Sequence, residues 1–257
     1  MKFGILLDTH VDKWDIVQEA EALGYYRAWF PDSQMIWSDC YVSMAVAATR
    51  TSRILLGTGI TNAGTRVAPI TANAIATINQ IAPGRTFLGI GTGHTAMRIM
   101  GQPPVSPSAF DDYVRVVRGL LRGEADEFEM NGRTNEIQFL HRDRRYINLD
   151  NPIPVYVAAN GPKALRIAAE QGDGWLTAGG ITADAVAGDY AVLRAAAAQA
   201  GRILPDGYMT CNMISACVLR PGETLGDRRV VDQTARWSPA ICISCMRYGR
   251  KPAGRMR

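Results

Sequence analysis

The chain has 257 residues, 47% apolar and 20% charged, enough to bury one large core as an α/β barrel or as two smaller domains. Its formal charge is +4, but from Gln233 onward there are six basic residues and no acidic one, so the preceding body is net acidic and no nucleic-acid binder by charge. No stretch approaches the roughly 18 uninterrupted apolar residues of a membrane span, "MKFGILLD" lacks signal-peptide anatomy and five scattered cysteines fit reduced thiols, so a cytoplasmic protein is expected.

Along the chain, β-rich runs alternate with helical ones, the rhythm of a parallel sheet. "KFGILLD" (Lys2–Asp8) predicts a strand, and Trp14, Ile16, Val17, Ala20 and Leu23, at spacings of three and four, predict a helix stopped by Gly24. "YRAWFPD" (Tyr26–Asp32) is the second strand, "DCYVSMAVAATRT" the second helix, "RILLGTGIT" (Arg53–Thr61) the third strand. A third helix has Pro69 in its first turn; "RTFLGIGTG" (Arg85–Gly93) is the fourth strand and Phe110–Glu124 the fourth helix. A polar excursion at about 125–152 follows, where Asn131-Gly132 between alternating runs predicts a hairpin. The rhythm resumes with "IPVYVAANG" (Ile153–Gly161), a helix from Pro162, "GWLTAGG" as strand, a helix over "DAVAGDYAVLRAAAAQAG" and a strand at Tyr208–Leu219.

"FLGIGTGHTAMRIMG" contains Gly91-x-Gly93-x-x-Ala96, a dinucleotide fingerprint, but one that follows the fourth strand rather than the first, with Asp111 and Asp112 at a helix start. About seven consecutive βα units predict a (β/α)8 barrel instead, whose strand C-termini build the site. At those ends stand Asp8-Thr9-His10, Asp32-Ser33-Gln34, Gly59-Ile60-Thr61-Asn62, Gly93-His94-Thr95, Asn160-Gly161-Pro162-Lys163 and Thr177-Ala178-Gly179, which would share one rim. Each also has an ordinary reading: Asp8 and Asp32 as helix caps, Gly59, Gly91 and Gly93 as tight strand exits, His10 and His141 as solvated loop residues. His94, directly after glycine at a strand end, points to a site role. Cys242-Ile-Ser-Cys245 has thioredoxin-like spacing without a βαβ context.

Four blocks in order, "WFPDSQMIWSDCYV", "GTGITNAGTRVAPITANAIATI", "LGIGTGHTAMRIMG" and "PVYVAANGPKALRIAAEQGDGWLT", resemble the bacterial luciferase-like family over roughly Lys2 to Asp232. The resemblance is to its branch of coenzyme F420-dependent reductases and dehydrogenases typified by methylenetetrahydromethanopterin reductase. It implies a TIM barrel that binds the deazaflavin F420, or alternatively FMN, at its C-terminal rim. It also implies a non-prolyl cis peptide near Gly59, Ile60, Thr61 and Asn62 behind the cofactor ring, with Asn62 touching the ring and Asp32 and Gly93 in contact with the cofactor. Asn160, Gly161 and Thr177 would receive its phosphate-bearing tail. On the substrate side stand His94 as proton-handling group, Trp37 and Ser33. Ser33 replaces the histidine of related sugar-phosphate dehydrogenases, a departure from that substrate class.

With F420 the implied reaction is hydride transfer to or from a small organic substrate, with FMN a monooxygenation. A non-catalytic flavin-binding remnant is the reading of a different class, because "ARWSPAICISCMRYGRKPAGRMR" has no helical period. We expect a barrel domain at 1–232 that lacks its last strand and helices, and an aberrant, out-of-frame tail at 233–257. Intact family members are expected to be homodimers.

Overall fold

The computed structural model describes residues 2–178, 182–214 and 216–235. The expected tail from 236 on, with Cys242 and Cys245, and the rim residue Gly179 lie outside the described residues. The chain divides into two compact units, the first 1–212 and the second beginning at Met213.

In the first unit the strands and helices alternate as β1 (Gly4–Leu6), α1 (Trp14–Ala22), β2 (Arg27–Phe30), α2 (Cys40–Ala48), β3 (Leu55–Thr58), β4 (Thr61–Asn62), α3 (Ala68–Ile81) and β5 (Thr86–Gly91). After α4 (His94–Ile99) and α5 (Pro107–Leu121) come the strands β6 (Asp126–Met130) and β7 (Arg133–Ile137), then β8 (Val155–Ala158), α6 (Pro162–Gln171), β9 (Gly174–Thr177), α7 (Ala183–Gln199) and β10 (Met209–Asn212). Gly24, at φ +84°, ends α1 as expected. Ser106 caps α5 through the Ala109 N–H, with Pro107 at the first position, so this helix starts three residues ahead of the expected Phe110.

The strands form one parallel sheet in the order β1-β2-β3-β5-β8-β9-β10, with β4 continuing beside β5, and β6–β7 make a separate antiparallel hairpin. Asn131 and Gly132 both have positive φ, 55° and 74°, as a two-residue hairpin turn requires. Among the described residues β1 and β10 are the sheet's two edges. The last strand is shorter than expected, ending at Asn212 rather than Leu219; Ile214 and Val218 are exposed, so the apolar run beyond it has no buried face to align.

Side chains alternate between two faces. Ala28, Phe30, Leu56, Leu88, Ile90, Val155 and Val157 pack outward against Val17, Met44, Ile75, Val114 and Ile167 of the helices. Trp29, Phe87, Tyr156 and Leu176 form a second cluster on the other face. There Arg27 Nη2 lies 3.3 Å from Tyr156 Oη although β3 and β5 separate their strands, so the sheet is curled around this inner cluster. Gly57 stands opposite Phe87 in the ladder, and a Cβ on Gly57 would lie 2.3 Å from that ring. Phe87 also meets Trp29 edge to face at 4.4 Å.

Buried Asn79 ties the excursion to the barrel wall: its Nδ2 donates to the carbonyls of Asn148 and Asn151, and its Oδ1 accepts from Thr86 Oγ1 and Gly84 N–H. With every bond satisfied, this side chain can sit at 0% exposure. Among the described residues no helix is long and apolar enough to cross a membrane.

Candidate active site

The expected third strand is two pieces, β3 and β4, with the cis Gly59–Ile60 peptide bond between them. This is the segment in which the resemblance implies such a bond. Thr61 and Asn62 then re-enter the sheet beside Ile90 and Gly91, fully buried at the C-terminal end of β5.

Asp32, just after β2, is the centre of the site. It is buried, its Oδ2 accepts from Thr61 Oγ1 at 2.6 Å and from Arg66 Nη1, and its Oδ1 accepts from Gln34 Nε2 at 2.6 Å. Arg66 also reaches Asp39 through Nη2 at 2.7 Å and lies over the Tyr41 ring at 5.0 Å. Burial works most strongly against the guanidinium's charge, but Asp32 and the smaller contributions of its neighbours, Asp39 among them, together outweigh it, and the group titrates above its ordinary range. Burial pushes the neighbouring Cys40 thiol and Tyr41 hydroxyl well up, so the groups beneath the ion pair are neutral. Asp32 is therefore no helix cap: Asp39 caps α2, accepting from the N–H groups of Tyr41 and Val42. Asp8 is exposed, and no side chain caps α1.

Asn62 binds this centre to the next loop. Its Nδ2 donates to the Asp32 carbonyl at 3.2 Å, and its Oδ1 accepts from Gly64 and Thr65 N–H. Gly93 packs on it so closely that a Cβ there would lie 2.8 Å from Asn62 Cβ; with φ +80°, this position requires glycine. Gly93 opens α4, a short helix that starts at His94 and that sequence periodicity is too brief to predict. His94 is exposed at this end of the sheet; partial burial and then Arg98 lower its proton affinity below the usual histidine range.

Ser33 and Trp37 share the turn after Asp32, where the Trp37 N–H donates to the Ser33 carbonyl at 3.2 Å and both side chains are half-buried. On β8 and β9, Thr177 donates to Asn160 Oδ1 at 3.0 Å, and Trp175 Nε1 holds the adjacent Ala159 carbonyl at 2.7 Å. Gly161 opens α6 without a side-chain cap. Ile60 and Ala158 both lie against Gly91, where a Cβ would stand 2.4 Å from Ile60 Cδ1 and 3.4 Å from Ala158 Cβ.

The twelve expected residues thus fall into two bonded groups and one turn: Asp32, Thr61, Asn62 and Gly93 with His94; Asn160, Gly161 and Thr177; and Ser33 with Trp37. Gly59 and Ile60 form the cis bond that leads into Thr61 and Asn62. Arg66 and Asp39 are members that the residue pattern does not single out, and Gln34, one of the strand-end residues, gains a role only through its bond to Asp32. Of the apolar residues near the rim, Trp29 and Met97 are core. His10, bonded to Asp12 at 2.8 Å, and His141 are solvated loop residues.

The sequence model of the luciferase-like monooxygenase family matches residues 1–223. The 5,10-methylenetetrahydromethanopterin reductase of Methanolobus tindarius is 36% identical over 161 residues, 61% of this chain and 47% of that protein. The F420-dependent hydroxymycolic acid dehydrogenase of Mycobacterium tuberculosis is 32% identical over 62% of this chain and 46% of its own length. The structure of the coenzyme F420-dependent tetrahydromethanopterin reductase from Methanopyrus kandleri superposes with a TM-score of 0.68 at 26% identity, covering 83% of this chain and 65% of that one. The chain spans about half the length of the curated relatives it matches.

Proposed function

The chain belongs to the luciferase-like monooxygenase family, and from that premise we propose that it is an oxidoreductase whose rim binds coenzyme F420, with FMN as the alternative. The named relatives above, all F420-dependent or acting on a methanopterin, support the first choice. The observation that carries the reading is the uncapped start of α6: among the described residues other than its chain neighbours, no atom lies within 4 Å of where a Cβ on Gly161 would stand, and no side-chain cap closes the helix there. Such a helix start receives an anionic group, and Lys163 beside it adds a positive charge. The residues therefore fit a cofactor with a phosphate-bearing tail.

In this reading Asn160, Gly161 and Thr177 hold the tail, while Asp32, Thr61, Asn62 and Gly93 line the ring with Gly59 and Ile60 behind it. When bound, F420 supplies two-electron hydride transfer, and FMN would supply oxygen chemistry. His94 handles the substrate's proton: neutral at pH 7, it accepts from a substrate hydroxyl in the oxidising direction and returns the proton in the reducing one. Ser33 and Trp37 contact a small organic substrate. The reading extends to a cytoplasmic protein whose family domain runs over 1–232, in a family of homodimers.

The test is an absorbance and fluorescence titration of the purified chain with F420 and, in parallel, FMN. Saturable micromolar binding of one selects the chemistry; binding of neither refutes the reading.

A further inference from the structure

Beside the ion pair, buried polar atoms lack partners among the described residues. Gln34 Nε2 donates to Asp32 Oδ1, and this bond fixes the orientation of the amide. The Asp32 carboxylate already accepts from Thr61 and Arg66, so the donating NH2 end of Gln34 faces it. The opposite end, Oε1, is buried and meets no donor among the described residues. In the loop after β4, Thr65 Oγ1 is buried and unmatched as well, next to Arg66. Buried polar atoms in folded proteins are almost always matched, and these orphans around the ion pair, with Tyr41 Oη beneath it as a third, mark a place where a ligand brings missing partners.

We propose that Gln34 is a ligand-binding residue: Arg66 locks Asp32, Asp32 orients the Gln34 amide, and the amide oxygen accepts a hydrogen bond from an N–H or O–H of the molecule bound at the rim. This rests on the cofactor-binding reading above. The donor is the ring imide N–H shared by flavins and deazaflavins or a hydroxyl of the cofactor's side chain. The role is one of selection, because a site with a fixed, dry acceptor discriminates against a ligand that lacks the donor.

Two variants of the full chain separate this from a structural role. Gln34→Met removes both ends of the amide, whereas Gln34→Lys keeps a donor toward Asp32 and offers no acceptor. Fluorescence titration with F420 and FMN is expected to show binding about tenfold weaker in both, equivalent to about 1.4 kcal/mol, with the melting temperature of the lysine variant close to wild type. Titration with a flavin methylated at the imide nitrogen identifies the donor: the penalty disappears if it is the imide and persists if it is a hydroxyl. If the wild type binds and both variants bind equally well, the role of Gln34 is overturned alone. If the wild type binds neither cofactor, the cofactor reading falls and takes this one with it.

Discussion

Replacing Arg66 with methionine should strand a charge in the protein interior. The Asp32 side chain is 2% exposed, and Arg66, 15% exposed, is its only cationic partner among the described residues. Removing one member of a buried pair costs about 3–5 kcal/mol, because the survivor keeps its desolvation penalty and loses its compensation. Thr61 and Gln34 continue to donate to Asp32, which sets the expected loss at the lower end, about 3 kcal/mol. Asp39 also loses its contact, but it is half exposed and still caps α2, so this adds only a few tenths of a kcal/mol. For a chain of this size the sum corresponds to a melting temperature lowered by roughly 6–12 °C. Urea unfolding of Arg66→Met, Asp32→Asn and the double variant measures it. Because Asp32→Asn removes the stranded charge, the double variant should recover about 1–2 kcal/mol over Arg66→Met. A single variant within about 1 kcal/mol of wild type, or a double variant no better than Arg66→Met, would mean that the pair does not hold the loops as described.

Oxidation catalysed with His94 as base should rise with pH along a limb centred below the ordinary histidine value of 6.5, since burial and Arg98 both favour the neutral ring; Arg98→Met should move that limb upward, and a pH–rate profile unchanged by His94→Asn would remove His94 from the reaction. Thr177→Val deletes the bond that orients Asn160, and cofactor titration should register about fivefold weaker binding, roughly 1 kcal/mol. Gly57→Ala would drive a methyl group to 2.3 Å from the Phe87 ring and 2.4 Å from its carbonyl. A loss of at least about 1–3 kcal/mol in denaturant unfolding is expected, and an alanine variant as stable as wild type would show that the sheet can open there.

Much of this architecture was legible because it is local. Helix α1 and its glycine stop, the proline at the start of α3 and the Asn131-Gly132 turn each declare themselves within a few residues. So do the strand ends, which is why the rim could be assembled from six short pieces. What stayed hidden depends on partners far apart in the chain. Arg66 meets Asp32 and Asp39 across 34 and 27 residues, and nothing around it distinguishes it from a solvated arginine. Gln34 matters only once Asp32 is known to be locked. The division of the third strand at Gly59–Ile60 came from the family resemblance, since periodicity alone predicts one continuous run from Arg53 to Thr61. The end of β10 differs for the opposite reason: the run toward Leu219 is apolar in sequence, yet Ile214 and Val218 are exposed.

The ring of Phe87 and the missing side chain of Gly57 have a historical consequence. The two residues divide a single volume at the heart of the sheet, so neither could have been inherited independently of the other. Among descendants of this lineage, a larger residue at 57 should be found only where the ring at 87 has first been lost. The order of events matters, because a chain that grew at 57 before shrinking at 87 would have passed through a destabilised ancestor.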